Sequence, residues 1–299
     1  MPKTTTALEA PFKPIIDFKG TGTTQVISMI DGGSIWFDEN GDLKKQYNTG
    51  SVVEDKKYTV YCLNPDTIKF FELINSGSAN SPISFDLQQF ADFKPANLAY
   101  LDADNKVDVK GSIKDFKDSK KLSSIDIKGS NIDFDYQHLP DLESGFTILI
   151  SGENQGGDIK DFPDKNGSIL DVKNSNTYGN LAEFKGRIFL LINFEGTQVA
   201  GKISDIAFKF TRSFYLTSCP NLIPDFEGLE EFTNLETLSL MRNNWTTAEV
   251  DSLISQIYNN QSAFTRRSKR LIIFGNDSPS ATGMAQIEEL RNNGWSISI

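Results

Sequence analysis

Along much of the chain, short pairs of apolar residues recur with one residue between them. Ile125 and Ile127, Ile148 and Ile150, Leu170 and Val172, Leu190 and Ile192, Phe214 and Leu216, Leu238 and Leu240, and Leu271 and Ile273 form such pairs. This alternation suits a strand with one face in a core, because successive side chains of a strand point to opposite sides. From Ile125 to Leu238 the first members are 23, 22, 20, 24 and 24 residues apart, and a step of 33 leads on to Leu271. A period in the low twenties fits one strand plus a return segment, stacked so that each unit covers its neighbour. KGSIKDF, GGDIKDF and AGKISDI add an echo about two periods long, placing Ile113, Ile159 and Ile203 shortly before an Asp. The return segments are rich in Asp, Gly, Phe and Pro, which predicts turns and short 3₁₀ pieces with Phe filling an outer wall. The competing reading is an ordinary β-rich domain with accidental spacing.

The rest of the chain divides around this region. Residues 1–15, with Pro2, Thr4, Thr5, Thr6, Pro11 and Pro14, read as an extended arm. Residues 16–80 alternate β-branched and aromatic residues in TTQVISMI, GSIWFDENGDLKKQY and KKYTVYCL, which predicts a β-sandwich-like domain. Asn40-Gly41 is a hairpin signal within it, since both residues tolerate positive φ. The repeated region then runs over 81–299, its first turns around FDLQQFADF and ANLAYLDADNKVDV being less regular, as a cap would be. Helices are expected only near the end. TTAEVDSLISQIYNN has Thr247 as N-cap and Val250, Leu253, Ile254 and Ile257 on one face. ATGMAQIEELRNNG turns Met284, Ile287 and Leu290 inward and stops at Gly294, before a last strand of Trp295, Ile297 and Ile299. The expected fold class is therefore mostly β with a few helices: an α/β solenoid preceded by a β-sandwich.

Two stretches carry a resemblance to known families. In LETLSLMRN, Leu235, Leu238, Leu240 and Asn243 match the template L-x-x-L-x-L-x-x-N, and the stretch resembles a leucine-rich repeat. LSSIDIKGS places Leu122, Ile125, Ile127 and Ser130 on the same positions. From residue 235 to 299 the order of strand, Asn-Asn, helix, strand ending in Gly-Asn, helix and terminal Gly-Trp strand resembles the C-terminal end of bacterial leucine-rich repeat proteins. These are of the surface type found in Bacteroidetes and their phages. Nearer the start, Trp36, Asp38 and Gly41 of IWFDENGD, followed by Tyr58-Thr59-Val60, resemble a PKD-like β-sandwich over about 60 residues. The resemblances imply a fold and leave the function open.

Composition narrows the function classes. Hydrophobic residues make up 38% of the 299 and Phe alone numbers 22, as suits a folded chain. The formal charge is −10 with scattered Lys and Arg, which argues against a nucleic-acid partner. Arg266, Arg267, Lys269 and Arg270 are the exception, read as a solvated helix end or loop. Cys62 and Cys219 are too far apart to expect a disulfide between them. No stretch approaches the ~18 apolar residues of a membrane span, and MPKTTTALEAPFKPIIDF has no apolar run like a signal peptide's. Folding in a cytoplasm is expected.

The search for chemistry points away from catalysis. His138 is the single histidine, so a His-based triad or metal cluster is not expected. Cys219 sits where the template has Asn and reads as a buried thiol. Asp102, Asp104, Asn105 and Asp108 suggest a weak calcium loop, but Val107 and Ile113 hold the positions where an EF-hand needs Gly and an acid. No enzyme and no cofactor are expected. A stack of strands instead offers an outward face. Its central column is expected to run through Asp126, Leu149, Asp171, Leu191, Tyr215, Ser239 and Ile272. A second column runs through Lys128, Ser151, Lys173, Asn193, Thr217, Met241 and Phe274. Tyr215, Met241, Ile272 and Phe274 gather at one end and suggest a partner surface, unless a one-residue register slip buries them. The expected function is a non-enzymatic virion structural or adhesion protein of a phage infecting Bacteroidetes. Its partners would be other virion proteins, copies of itself, or a host cell-surface glycan or protein. A bacterial cell-surface or secreted leucine-rich repeat binding protein is the alternative. A carbohydrate-active β-solenoid enzyme would need several carboxylates in one cleft.

Overall fold

The computed structural model describes the backbone of residues 13–20, 25–30, 34–38, 43–45, 49–52, 57–62, 68–75, 83–91, 95–104, 109–184, 186–206 and 210–299. Side chains are described over 68–72 and, within those ranges, from 86 onward except Gln89. The described chain is mostly β, with parallel sheets and two full helices, and it divides into two compact units. The first is Met1–Asp133 with His138–Glu143; the second is Phe134–Gln137 with Ser144–Ile299.

In the first unit the strands are β1 (Lys13–Gly20), β2 (Gln25–Ile30), β3 (Ser34–Asp38), β4 (Leu43–Lys45), β5 (Thr49–Val52), β6 (Lys57–Cys62), β7 (Phe70–Asn75), β8 (Ile83–Asp86), β9 (Tyr100–Asp102), β10 (Val109–Lys110) and β11 (Ser124–Asp126), with the short helix α1 (Gln88–Ala91). One sheet has the order β10-β8-β1-β6-β3-β4. β3 and β4, the strands flanking Asn40-Gly41, pair antiparallel, while that turn lies outside the described residues, as does the expected arm up to residue 12. In the other sheet β2 lies antiparallel between β5 and β7, and the direction then changes: β7, β9 and β11 run parallel. Their inward residues Phe71, Leu101 and Ile125 are in register and fully buried.

The second unit begins with β12 (Phe134–Asp135), β13 (Phe146–Leu149), β14 (Gly152–Asp158), β15 (Gly167–Asp171), β16 (Ser175–Asn180), β17 (Leu191–Asn193), β18 (Gln198–Lys202), β19 (Ser213–Tyr215), β20 (Asn221–Ile223) and β21 (Thr237–Ser239). It ends with α2 (Thr247–Asn259), β22 (Lys269–Ile272), α3 (Ala281–Asn292) and β23 (Trp295–Ser298). Two parallel sheets result, β13-β15-β17-β19-β21-β22-β23 and β12-β14-β16-β18-β20. The inward residues of the first, Ile148, Leu170, Ile192, Phe214, Leu238, Leu271 and Ile297, stand in lateral register. Their first three steps are 22 residues each. The inward residue of β17 is therefore Ile192, with Phe194 as its pair-mate. The expected Leu190 is instead 46% exposed, so the irregular steps of 20 and 24 were a misplacement by two residues. An unbroken apolar run such as Ile188 to Ile192 gives alternation no means to choose its register.

Ile113, Ile159 and Ile203 each open a short 3₁₀ turn and are fully buried. Phe146, Phe162, Phe184, Phe189 and Phe194 pack as a chain of rings 5.3–6.0 Å apart, which is where the Phe-rich return segments place their bulk. Helix α2 is capped by Thr246, one residue before the expected Thr247. Glu249 lies three residues after Thr246 and closes a capping box, its carboxylate accepting from Thr246 N at 2.7 Å.

One corner recurs four residues after the inward residues of β15, β17, β19, β21 and β22. Asn174, Ser218 and Arg242 have φ of 54° there, and Gly196 and Gly275 have 70° and 80°. The next residue is polar and turns back to bond a carbonyl. Ser175 Oγ donates to Val172 O at 2.6 Å, Thr197 Oγ1 to Phe194 O at 2.7 Å, and Asn243 Nδ2 to Leu216 O at 2.8 Å. Gly129 and Ser130 make the same corner in the first unit, with Ser130 Oγ on Ile127 O at 2.7 Å. Positive φ reverses the chain, and the following side chain satisfies a carbonyl that the ended strand leaves open.

Candidate binding face

The outward side of β13–β23 carries two columns two residues apart. One runs Leu149, Asp171, Asn193, Tyr215, Ser239, Ile272 and Ser298, in strand register. Asn193 takes the place expected for Leu191, a direct consequence of the shifted register of β17. The neighbouring column continues through Ser151, Lys173, Glu195, Thr217, Met241 and Phe274, so Asn193 leaves it and Glu195 enters.

A one-residue slip is ruled out at the apolar end, because Phe214, Leu216, Leu238, Leu240, Leu271 and Ile273 take the buried positions. The outward residues there are nonetheless far from uniformly open. Thr217 and Ser239 are each 1% exposed and share a hydrogen bond of 2.9 Å, and Ile272 is buried. Tyr215 and Met241 are half-buried. Phe274 is 39% exposed, with the Arg242 guanidinium 5.5 Å from its ring centre. Beside Phe274 a cleft of 340 Å³ is lined by Ile273, Asn276, Asp277, Pro279, Met284 and Ile299.

In the first unit the equivalent column is acidic. Glu72, Asp102 and Asp126 lie side by side on β7, β9 and β11. Burial pushes the Asp126 carboxyl up to about 6; Lys128, its ammonium at 3.5 Å, opposes this, and Asp104 and Asp102 add to it. Asp126 Oδ1 is buried without a hydrogen-bond partner. Glu72 is raised by burial and by Asp102, and Tyr100, whose hydroxyl donates to Asp102 Oδ2 at 3.3 Å, is pushed up to about 12 by burial and by Asp102.

Several of these acids have a local structural task. Asp102 Oδ1 accepts from Asp104 N at 2.9 Å, Asp171 Oδ1 from Lys173 N at 3.5 Å, and Asn193 Oδ1 from Glu195 N at 3.0 Å. Each is an Asx turn at the end of a strand. Of the calcium candidates, Asp102 and Asp104 are thus tied into one turn, and Asp108 lies outside the described residues. Among the described residues no group of three or more His, Cys, Asp or Glu is arranged to hold a metal ion. The Cys219 thiol is pushed up to about 11 by burial and bonds Phe194 O at 3.1 Å, a structural partner in the corner ladder. Arg266 pairs with Glu236 at 3.5 Å and Lys269 lies over the Trp295 ring, so the basic run is spread over the edge of β22.

Sequence reasoning passed over the second sheet. Its outward side brings together Gly156 with Asn176, then Asp158, Tyr178 and Gln198, then Asn180, Ala200 and Asn221. Tyr178 is 46% exposed. The legible signal was Gly157-Asp158 and Gly179-Asn180, each directly before a 3₁₀ turn. Asp158 Oδ1 accepts from Lys160 N and Asn180 Oδ1 from Ala182 N, at 3.1 and 3.0 Å.

Among the described residues no helix is long and apolar enough to cross a membrane. No protein-family model matches this chain, and no curated protein matches it.

Proposed function

We propose that the chain is a non-enzymatic binding protein whose residues 81–299 form a leucine-rich-repeat-like solenoid, preceded by a PKD-like β-domain. It serves as a structural or adhesion component of a virion of a phage infecting Bacteroidetes. The N-terminal domain attaches to the particle, and the outward face around Tyr215, Met241 and Phe274 meets another virion protein, a second copy or the cell surface. The observation that carries this reading is the lateral register of seven parallel strands in the second unit, which sets like positions in straight columns, the form a surface for extended contact takes. The exposed ring of Phe274 beside its cleft supplies an anchor of the kind such contacts use. The acids that would be needed for glycoside chemistry support a binding role through their use as turn formers.

Light scattering on a sizing column, with Phe274→Ser beside the parent, tests the face. A defined oligomer that Phe274→Ser dissociates supports contact between copies. Sedimentation of the labelled chain with Bacteroidetes cells, or with phage particles, tests the adhesion and virion roles. A monomer that sediments with neither refutes the reading.

A further inference from the structure

The outward face of β14, β16, β18 and β20 is a different surface from the one proposed above, and either assignment can fail alone. Neighbouring parallel strands stand about 4.8 Å apart, so side chains in lateral register form a closely spaced row. One row holds Asp158, Tyr178 and Gln198; the next holds Asn180, Ala200 and Asn221, and Asn176 stands beside Gly156. Gly156 and Ala200 keep the floor low around the tyrosine, whose ring is 46% exposed. The Asn221 amide donates to Gln198 Oε1 at 3.4 Å, which holds the two side chains in one orientation while Gln198 keeps its NH₂ and Asn221 its carbonyl oxygen.

The charge at this face is already paired. The Lys160 ammonium bonds Asp158, whose carboxyl it holds below the usual carboxylate range, and Lys202 bonds Asp225 at 2.8 Å with the same effect. A polyanion finds no free cluster of cations here. A protein partner is also poorly served, because a protein interface wants a contiguous apolar centre. The described outward rows offer one aromatic ring flanked by amides and small residues. The exposed Ile223 stands apart from it, two strands over and beside Lys202, so the two make no contiguous apolar centre. A neutral sugar chain has the complementary chemistry. Each hydroxyl both donates and accepts, which an amide side chain matches, and the C–H face of the ring seats on the electron-rich face of an aromatic.

We propose that this face binds a neutral polysaccharide, with Tyr178 as the stacking platform and Asn176, Gln198 and Asn221 as the hydroxyl-reading amides.

Native affinity electrophoresis of the full chain tests this, in gels containing dextran, laminarin, mannan or galactan, with alginate and chondroitin sulfate as anionic comparators. The expected result is retardation by at least one neutral polymer, insensitive to added salt. Its dissociation constant should rise about tenfold in Tyr178→Ala, rise several-fold in Gln198→Ala, and stay near the parent value in Tyr178→Phe. These positions are outward-facing, so melting curves should be unchanged. Retardation by the anionic polymers alone, no retardation by any neutral polymer, binding undiminished in Tyr178→Ala, or binding lost in Tyr178→Phe would each overturn the assignment.

Discussion

Asn243 offers the sharpest test of how the corners hold the second unit together. It is 5% exposed, and its amide is used at both ends. Nδ2 donates to Leu216 O at 2.8 Å, and Oδ1 accepts from Cys219 N at 2.9 Å; both partners belong to the preceding corner. Its own backbone N–H donates to Asn276 Oδ1 at 2.9 Å, so the ladder continues to the next corner. Asn243→Ala leaves a buried carbonyl and a buried N–H without partners. Each unsatisfied group costs about 1–3 kcal/mol, so a loss of about 2–6 kcal/mol is expected. Asn243→Ser should lose about as much, because a hydroxyl at this corner position bonds the carbonyl three residues back, as at Ser130 and Ser175, and reaches neither Leu216 O nor Cys219 N. Urea unfolding followed by far-UV circular dichroism measures this as a fall in midpoint at constant slope. If Asn243→Ala lies within about 0.5 kcal/mol of the parent, the range of ordinary surface changes, the ladder is not what stabilises these corners.

Four further outcomes follow from the structure. Ser218 adopts φ 54° without being glycine, so Ser218→Gly should stabilise by up to about 1 kcal/mol, measured by the same unfolding; destabilisation would contradict the strain argument. Gly196→Ala should go the other way, since a Cβ there runs into Asn174 Oδ1. Asp126 has a folded value near 6, above about 3.9 for an unfolded aspartate. Its contribution to stability is therefore present below the unfolded value and lost as pH rises through about 6. Asp126→Asn should match the parent melting temperature near about pH 4 and exceed it near about pH 7, and an identical pH profile would refute this. Tyr136→Phe removes a fully buried hydroxyl that meets Thr177 Oγ1 at 2.8 Å. Because Thr177 keeps Ser175 Oγ at 2.7 Å, the loss should be only about 1 kcal/mol; a loss several times larger would mean that Thr177 is stranded.

How far the sequence reached differs from feature to feature. Alternating pairs such as Ile148/Ile150 and Leu238/Leu240 are buried as read, because a half-buried strand imposes a period of two on the chain itself. In two of the three KGSIKDF-like echoes the Ile begins a 3₁₀ turn for a similarly local reason: Ser112 and Asp158 before it bond a backbone N–H two residues on, while Lys202 before Ile203 makes no such bond. The helical face of Val250, Leu253, Ile254 and Ile257 was equally plain. Where the chain is apolar at every position, as from Ile188 to Ile192, local pattern is silent. There the lateral bonds of β15 and β19 chose Ile192, and with it the composition of the outward columns. Exposure on those columns was also a tertiary matter. Thr217 and Ser239 face outward yet are buried, since exposure depends on what neighbouring turns place beside a side chain. The same holds for the positive φ of Ser218 and Arg242. Neither residue type favours that conformation, and the backbone adopts it because Ser218 N and Arg242 N bond Met241 O and Phe274 O in the following turn. The sequence by itself determined the strand period, the inward pairs and the turn chemistry, all set by neighbours in the chain. Register, column membership and corner geometry were decided only when segments more than 20 residues apart were hydrogen-bonded side by side.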